Sequence, residues 1–458
     1  MRLVGAALVL SLAPGPTGPQ PPEAPTDRAL RLVKPALVRI ESHAKATISV
    51  ATIGFDDAAL EGFAQRDVSR LLASGQRFGS IPAAQQALTS DLEHEFVANP
   101  APYMKLGDRV TDPYDTARVG SGWLADGNGT VVTAADVLLD EPAVTAAATE
   151  EERQAITADL DDVTPADLGL TVPLNDAQKA NIVNAALVRA VPSIQVSGIA
   201  SHTTVQLGLA GPDARYGVGS LTYPDATVAV DHRGPHGTGL AVLQVHGQGF
   251  AARFASIPLA YGSSLSAGSP VIVAGYPAAE ATSGGAPDTG PAAPDAVGGT
   301  IREASEGAAL TDAGYTAGVI GGAVLNGEGK AVGVAVKRDG ASAVVPVADV
   351  ARVLDEAHAR GRTNTVTTDY RKAAADMSRH WYKKALPIFQ SITRRSPEVP
   401  WVAEQTQEAA REIALGHDDS PSDRPFLPVA AAAVLFAVDA VAVTAVLRRR
   451  LILRSRGG

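Results

Sequence analysis

The chain has 458 residues, with 39 basic and 49 acidic side chains and no cysteine. This length exceeds one ordinary core, so we expect two or three folding units, and the 44 Gly and 31 Pro residues favour short elements joined by many turns. The lack of cysteine excludes disulfides, thiolate metal sites and a thiol nucleophile. The net charge of −10 argues against nucleic acid as a partner, because phosphate binding needs a basic face.

The N-terminus has the pattern of an export signal. A basic residue, Arg2, precedes an apolar run over residues 3–13, and a proline-rich stretch continues to Pro25. This order is typical of a short signal peptide. We therefore assign residues 1–25 to a signal peptide and linker, with a disordered apolar start as the alternative.

The strand and helix patterns of the central chain predict a β-rich body with two helical insertions. A strand pattern within residues 29–50 changes to helical spacing over 56–96, which places the first insertion at about 55–117. The sequence Asp-Gly-Asn-Gly at 126–129 predicts a hairpin turn, because Gly and Asn accept positive φ at low cost.

The second insertion is expected at about 141–192. A capping box formed by Thr149 and Glu152 starts its first helix, and its second helix spans about 176–190. Strand-like segments then continue to residue 345, interrupted by a loop at 278–299 that is rich in Ala, Gly and Pro.

Residues 358–416 have helical spacing throughout. The apolar positions from Tyr382 to Ile392, with Met377 before them and Trp401 after them, are similar to the helix pair of a tetratricopeptide-like repeat. The segment is expected either to dock a partner or the β-rich body, or to form a plain helical stalk.

The C-terminus predicts a membrane anchor. Residues 426–447 form an apolar segment that is long enough to cross a bilayer and holds a single ionisable side chain, Asp439. An acidic linker at 417–425 precedes it and a basic tail at 448–458 follows it, so the positive-inside bias places the tail in the cytoplasm and the bulk of the chain outside the cell membrane. Asp439 either faces a partner helix or water, or is a charge tolerated in a single span.

Three groups of short motifs follow one another in a fixed order. The first is Val-Gly-Ser-Gly-Trp-Leu at 119–124 with Val-Val-Thr-Ala-Ala-Asp-Val-Leu at 131–138. The second is Gly-Leu-Ala-Val-Leu-Gln-Val at 239–245 with Ser-Pro-Val-Ile-Val-Ala-Gly-Tyr-Pro at 269–277. The third is Gly-Val-Ile-Gly-Gly-Ala-Val-Leu-Asn at 318–326, continued by strand-like runs to residue 347. In this order they resemble the His, Asp and Ser motifs of trypsin-like serine proteases, especially of the HtrA-type branch.

The resemblance implies a mainly β fold over residues 26–357, with two six-stranded β-barrels and an active cleft between them. The two helical insertions would interrupt this domain, and the small helical segment and one transmembrane helix would follow it. By alignment of the motifs, Asp136 occupies the histidine position, Gly239 the aspartate position and Ile320 the serine position.

These substitutions remove the chemistry that the family uses. Acyl transfer needs an imidazole within hydrogen-bond reach of a hydroxyl. A carboxylate at Asp136 is a weak base, and Ile320 has no lone pair with which to attack. The amides of Gly318 and Ile320 could still form an oxyanion-type nest that holds a carbonyl or carboxylate; the alternative is that the glycines only keep a tight turn. Ser121, in a Gly-Ser-Gly turn, is read as structural.

A relocated site is the rival interpretation. It would draw on imidazoles, a carboxylate and hydroxyls around the second motif, namely His202, His232, His236, His246, Asp231, Ser263 and Ser264. The i, i+4 pair His232 and His236 also has the spacing of metal ligands on a helix, but Gly234, Pro235 and Gly237 oppose a helix there.

The sequence therefore favours a membrane-anchored pseudoprotease outside the cytoplasm that binds a protein or peptide without cleaving it, with no cofactor and no metal. An active trypsin-like endopeptidase with an atypical site is the first alternative. A structural envelope scaffold that binds only through the helical segment is the second.

Overall fold

The computed structural model describes residues 23–75, 77–168, 173–210, 220–233, 237–246, 253–278, 293–305 and 307–421. All but the last three residues of the predicted signal peptide and linker lie outside these ranges, as do the predicted anchor with Asp439 and the basic tail. Within the described ranges, no helix is both long and apolar enough to cross a bilayer.

The N-terminal half is built on a seven-stranded antiparallel sheet. A short helix, α1 (Pro25–Val33), precedes it. The strands are β1 (Leu37–Phe55), β2 (Met104–Leu124), β3 (Thr130–Ala134), β4 (Gln195–Leu207), β5 (Leu221–Tyr223), β6 (Thr227–Asp231) and β7 (Leu240–Gln244). They lie in the order β5-β4-β1-β2-β3-β7-β6.

This sheet differs from the six-stranded barrel that the family resemblance implied. Among the described strands, β5 and β6 form its two edges and do not pair with each other. Both edge strands are short, at three and five residues. Only a half-barrel is therefore present on this side of the molecule.

The C-terminal half contains a closed six-stranded barrel, as expected. Its strands are β8 (Pro270–Gly275), β9 (Asp295–Ser305), β10 (Ala308–Thr311), β11 (Ala323–Leu325), β12 (Ala331–Arg338) and β13 (Ala341–Pro346). They close in the order β10-β13-β12-β11-β8-β9, around buried side chains that include Val271, Val273, Ile301, Val324 and Val344. Because β9 begins at Asp295, the loop predicted over 278–299 ends earlier than expected.

Several predicted boundaries in the N-terminal half are wrong. Residues 25–33 are helical, because Pro25 at the first turn and the i, i+3, i+4 spacing of Ala29, Leu32 and Val33 favour a helix with one buried face. The expected first insertion ends near residue 103, since β2 starts at Met104 and pairs along β1 as a long ribbon. Most side chains of this ribbon between 105 and 113 are exposed, so they carry no burial pattern that would indicate a strand.

The two insertions form one helical module. Its helices are α2 (Asp57–Ala73), α3 (Ile81–Ala98), α4 (Glu141–Asp161) and α5 (Asp176–Ala190). Leu92 and Phe96 from the first insertion share an apolar cluster with Ile156 and Ile182 from the second. Residues 55–103 and 141–192 hold 16 of the 49 acidic residues but only 6 of the 39 basic ones, so the whole net charge of −10 lies on this module and the rest of the chain is balanced.

Of the two helices predicted in the second insertion, one has the predicted bounds and one starts earlier. The second helix has the predicted bounds, about 176–190. The first begins at Glu141 and not at Thr149, because the Asp140 carboxylate accepts the Ala143 amide at 2.8 Å and Pro142 follows in the first turn. Thr149 lies in the helix interior.

Four helices follow the barrel within the described residues, and they are part of the main body. They are α6 (Val347–Glu356), α7 (Thr365–Met377), α8 (Tyr382–Arg395) and α9 (Val402–Ala414). Tyr370 and Phe389 belong to the same apolar cluster as α1 and the seven-stranded sheet. The Tyr370 hydroxyl donates to the Arg31 carbonyl at 3.2 Å, and the Thr367 hydroxyl accepts the Ser256 amide at 2.9 Å. The tetratricopeptide-like character of these helices stays a prediction.

Candidate functional site

Asp136, at the histidine position, lies in a single 3-10 turn directly after β3. Its side chain is exposed. The Arg118 guanidinium donates to the Asp136 carbonyl at 2.9 Å, and the Ala135 amide donates to the Gly239 carbonyl at 2.8 Å. Backbone hydrogen bonding therefore holds the first two motif positions side by side.

Gly239, at the aspartate position, has φ of +74° and immediately precedes β7. Its amide donates to the His232 carbonyl at 2.9 Å. A Cβ placed on Gly239 would meet nothing within 4 Å, so there is open space beside this position.

Ile320, at the serine position, follows a 3-10 turn at Ala317–Val319. The Ile320 carbonyl accepts the Ser121 amide at 2.8 Å, while the Ile320 amide donates to Ala317 at 3.0 Å and the Gly318 amide donates to Ala278 at 3.3 Å. Both amides of the predicted oxyanion-type nest are thus bonded within the protein. The nest stays a prediction, and it would require this loop to open.

Ser121 has the structural role expected of it. Its side chain is fully buried, and its hydroxyl donates to the Gly318 carbonyl at 2.7 Å and accepts the Tyr276 amide at 2.7 Å. Burial raises the pKa of Tyr276, so that phenol stays neutral. One hydroxyl therefore joins the serine-position loop to strand β2 and to the end of β8.

Replacing Ser121 by alanine should lower the free energy of unfolding by about 1–3 kcal/mol, because it leaves a buried amide and a buried carbonyl without a partner. Urea titration of the purified protein measures this loss. The matched control is Ser263→Ala, an exposed serine for which we expect a change of less than about 0.5 kcal/mol. Equal midpoints for the two variants would contradict the structural role.

A cavity of about 210 Å³ opens beside the first two motif positions. One wall is the segment before β7 with the Asp136 turn, and the other is the end of β12. Its lining comprises Asp136, Arg233, Gly237, Thr238, Gly239, Val336, Lys337 and Arg338. Ile320 does not line it.

The polar groups of this cavity are held in different ways. Arg233 is fixed by Asp140 and Asp231, with nitrogen to oxygen distances of 2.7 Å in both ion pairs, and it also donates to the Ala135 carbonyl at 3.1 Å. Thr238 is only 8% exposed, and its hydroxyl has no hydrogen-bond partner among the described residues. Arg338 is exposed at the end of β12.

Sequence reasoning missed Arg233, Thr238, Lys337 and Arg338. The basic pair Lys337-Arg338 precedes Asp-Gly, which is a hairpin signal. No local pattern places that hairpin opposite Asp136, because the two lie about 200 residues apart in sequence.

The described residues of the relocated-site hypothesis do not form one group, because His202 and Asp231 line one cavity whereas His232 and His246 have other partners. His232 pairs with Glu356 at 2.8 Å, His246 with the Thr227 hydroxyl at 2.8 Å, and His202 stacks on His43 with ring centroids 5.3 Å apart. Ser263 and Ser264 are exposed on a loop before β8.

His236 lies outside the described residues. Over the part of the chain that the structure describes, no three His, Cys, Asp or Glu side chains are grouped so as to hold a metal ion. His202 lines a second cavity, of about 260 Å³, together with Asp140, Asp231 and Arg233.

Comparison with known proteins gives little. No family model and no curated protein matches this sequence. Among solved structures, the chain is similar to the crystal structure of the serine endoprotease from Yersinia pestis, at 13% identity and a TM-score of 0.33, over 74% of this chain and 68% of that one.

Proposed function

We propose that this protein is a membrane-anchored, extracytoplasmic pseudoprotease of the trypsin-like type, which binds a protein or peptide partner without cleaving it. The observation that carries the proposal is that backbone hydrogen bonds hold the three motif segments in place while the side chains at the three motif positions cannot perform the family's chemistry. The turn at Asp136 is hydrogen-bonded to the Gly239 segment, and the loop at Ile320 is hydrogen-bonded to Ser121. The histidine position nevertheless holds a carboxylate instead of an imidazole, the aspartate position has no side chain, and the serine position has no hydroxyl.

The cleft nevertheless contains side chains that can bind a polar ligand. The cavity beside Asp136 is lined by charged side chains and a buried hydroxyl, which are groups that hold and orient polar segments. The predicted anchor at 426–447 would restrict such binding to the membrane surface. The combination suits capture or presentation of a partner and not turnover.

The direct test is labelling of the purified full-length protein with a fluorophosphonate probe, which reacts only with an activated serine. We expect no labelling above that of the heat-denatured protein, with active trypsin as the positive control. Saturable labelling of one serine would refute the pseudoprotease and support the atypical endopeptidase.

Restoring one member of the triad should not restore activity. In Ile320→Ser the hydroxyl would still lack a base, and loss of the triad as a unit costs on the order of 10⁶ in rate in a well-studied serine protease. We expect peptide hydrolysis by this variant to stay at the uncatalysed background in a fluorogenic assay. Hydrolysis by Ile320→Ser would show that a base exists elsewhere in the cleft.

A further inference from the structure

We propose that an extended peptide segment with a lysine or arginine side chain binds in the opening of the first sheet, between β4 and β6. This opening, which we call the β4–β6 groove, contains the cavity of about 260 Å³ that His202 lines. None of the three motif positions Asp136, Gly239 and Ile320 lines it. The inference rests on the proposed function only in that the bound segment stays intact.

The groove exists because β4 lacks a partner along most of one edge. β5 is three residues long and pairs with residues 205–207 of β4, so residues 195–203 have β1 on one side and none of the described strands on the other. β6, across the opening, pairs only with β7 among these strands. Free edges of this kind present N–H and C=O groups to which an extended chain can add as a further strand.

The groove is closed at one end and open at the other. At the closed end the Ala226 amide donates to the Thr203 carbonyl at 2.9 Å. Beyond this bond, most of β6 lies more than 8 Å from β4, measured between Cα atoms. Paired strands lie about 4.8 Å apart, so β4 and β6 are too far apart there to pair with each other. The open part therefore leaves room for an extended chain along β6.

Backbone groups of β6 point into this space. The His232 amide donates to the Leu240 carbonyl at 2.9 Å, and the His232 carbonyl accepts the Gly239 amide at 2.9 Å, so both groups of His232 face β7. The backbone groups of successive strand residues face opposite edges, so the N–H and C=O of Asp231 face the groove. An extended ligand can pair with β6 through these groups.

The rim of the groove is acidic. Asp140, Asp225 and Asp231 line it together with one guanidinium, that of Arg233, which pairs with Asp140 and Asp231 at 2.7 Å. Three carboxylates against one guanidinium leave an excess of two negative charges, and protonation of His202 would still leave one. Helix α4 of the helical module begins directly after Asp140, and the net charge of −10 on that module attracts a cation at longer range.

The floor and size of the groove define the cation. Leu138 and Leu139 are buried and Val228 is 48% exposed, so all three offer apolar surface beside the carboxylates. Lysine and arginine pack their methylene stems on such surface and keep the charged end at a polar rim. The three carboxylates do not form a group that could hold a metal ion. A volume of about 260 Å³, roughly nine water volumes of about 30 Å³, suits one such side chain with its backbone and not a folded element.

Asp225 provides the test of charge. It is exposed, lines the groove and has φ of +57°. Asparagine accepts this conformation, so Asp225→Asn removes the charge without added backbone strain. Asp339→Asn is the matched control, because Asp339 is likewise exposed, has φ of +50° in the turn between β12 and β13, and does not line the groove.

The first experiment measures fluorescence anisotropy of labelled nine-residue Thr/Ser/Val peptides, with Lys, Gln or Glu at the centre, against the full-length protein at 50 mM salt. We expect the Lys peptide to bind about fivefold more tightly than the Gln peptide, the size of effect that an exposed charge pair produces. Asp225→Asn should reduce this preference to about twofold or less, and Asp339→Asn should leave it unchanged. The preference should also shrink at 300 mM salt, because exposed charges are then screened.

N-methylation of the peptide tests strand pairing without any change in the protein. Methyl groups on alternate amides remove the N–H donors along one edge of an extended peptide, so two methylated versions of the Lys peptide cover its two edges. We expect at least one version to lose about tenfold or more in affinity, because several hydrogen bonds are lost together. A ligand held only by its charged side chain would bind equally well in both versions.

Disulfide trapping locates the bound peptide, and the lack of cysteine in the natural chain makes it specific. A Lys peptide with a cysteine two residues from the lysine should form a mixed disulfide with Val228→Cys about fivefold faster than with Ser263→Cys, since binding raises the local thiol concentration. Ser263 is exposed and does not line the groove.

Five results would each overturn the inference. They are equal binding of the Lys and Gln peptides, no detectable binding at about 1 mM protein, an unchanged Lys preference in Asp225→Asn, full affinity of both methylated peptides, and equal trapping at the two cysteines. Mass spectrometry of the recovered peptides separates these results from failure of the proposed function. Intact peptides leave the pseudoprotease standing, whereas cleaved peptides would refute it.

Discussion

Replacing Gly321 by alanine is expected to lower the free energy of unfolding by about 3 kcal/mol or more. Gly321 has φ of +87°, where an L side chain is strained by about 1–2 kcal/mol. Its Cβ would also lie under 3.0 Å from the Ser121 carbonyl oxygen, the Thr133 hydroxyl and the Ala134 amide. Because two of these are backbone atoms of the central strands, they cannot move aside cheaply, and overpacking of this kind costs a further 1–3 kcal/mol or so.

Gly239→Ala is the matched control for this prediction. Gly239 also has positive φ, at +74°, but its Cβ would enter open space. Backbone strain alone should then cost about 1–2 kcal/mol. Urea unfolding followed by circular dichroism gives both values, and a Gly321→Ala variant no less stable than Gly239→Ala would contradict the packing argument.

The comparison of these two variants bears on why glycines occupy the motif at 318–326. Gly318 is similarly confined, since a Cβ there would lie under 3.0 Å from backbone atoms of Ala278 and Tyr276. These close approaches account for the retained glycines without any catalytic role. The glycines of the serine-position motif are required by the packing of the loop, whether or not the loop acts on a substrate.

The elements that the sequence predicted correctly have local signals. The Asp-Gly-Asn-Gly turn at 126–129 lies between β2 and β3, where the Asp126 carboxylate accepts the amide of Asn128 at 2.8 Å. Helix α5 begins with a capping box formed by Asn175 and Gln178. In each case a few adjacent residues determine the conformation, so periodicity and turn chemistry suffice.

The features that the sequence did not predict depend on distant contacts. The exposed half of β2 looks irregular because its stability comes from pairing with β1, not from a buried face. Whether the first sheet closes into a barrel depends on pairing between its edge strands, and β5 and β6 do not pair. The shared core of the two insertions joins segments about 60 residues apart in sequence. The cavity likewise combines the segment before β7 with the end of β12, which no motif connects.

The C-terminal helices were expected either to dock a partner or the β-rich body, or to form a plain stalk, and the structure packs them against the β-rich body. This undermines the simplest test of the scaffold hypothesis, deletion of residues 366–415. Such a deletion would expose the faces of α1 and of the first sheet that these helices cover. Loss of partner capture after the deletion would then report unfolding, so a point substitution is the better probe.

We expect Phe389→Ala to lower the free energy of unfolding by about 3–5 kcal/mol, the range for deleting a large buried aromatic side chain. Phe389 is fully buried, and its ring packs edge-on against Tyr370 with centroids 5.6 Å apart. Leu415→Ala is the control, because Leu415 is 54% exposed at the end of α9 and should change stability by less than about 0.5 kcal/mol.

The shape of the unfolding curve tests the continuity of the core. If α7 to α9 share one core with the first sheet, Phe389→Ala should shift a single transition, seen equally by far-UV circular dichroism and by fluorescence of Trp123, which is buried in that sheet. Trp381→Phe and Trp401→Phe are introduced into both proteins, because these two tryptophans lie at the starts of α8 and α9 and would otherwise contribute to the fluorescence. A helical stalk that folds on its own would instead give an early loss of helix signal while Trp123 fluorescence stayed unchanged. A single shifted transition means that the helices stabilise the β-rich body itself, so any partner that binds their exposed faces binds a surface continuous with the cleft domain.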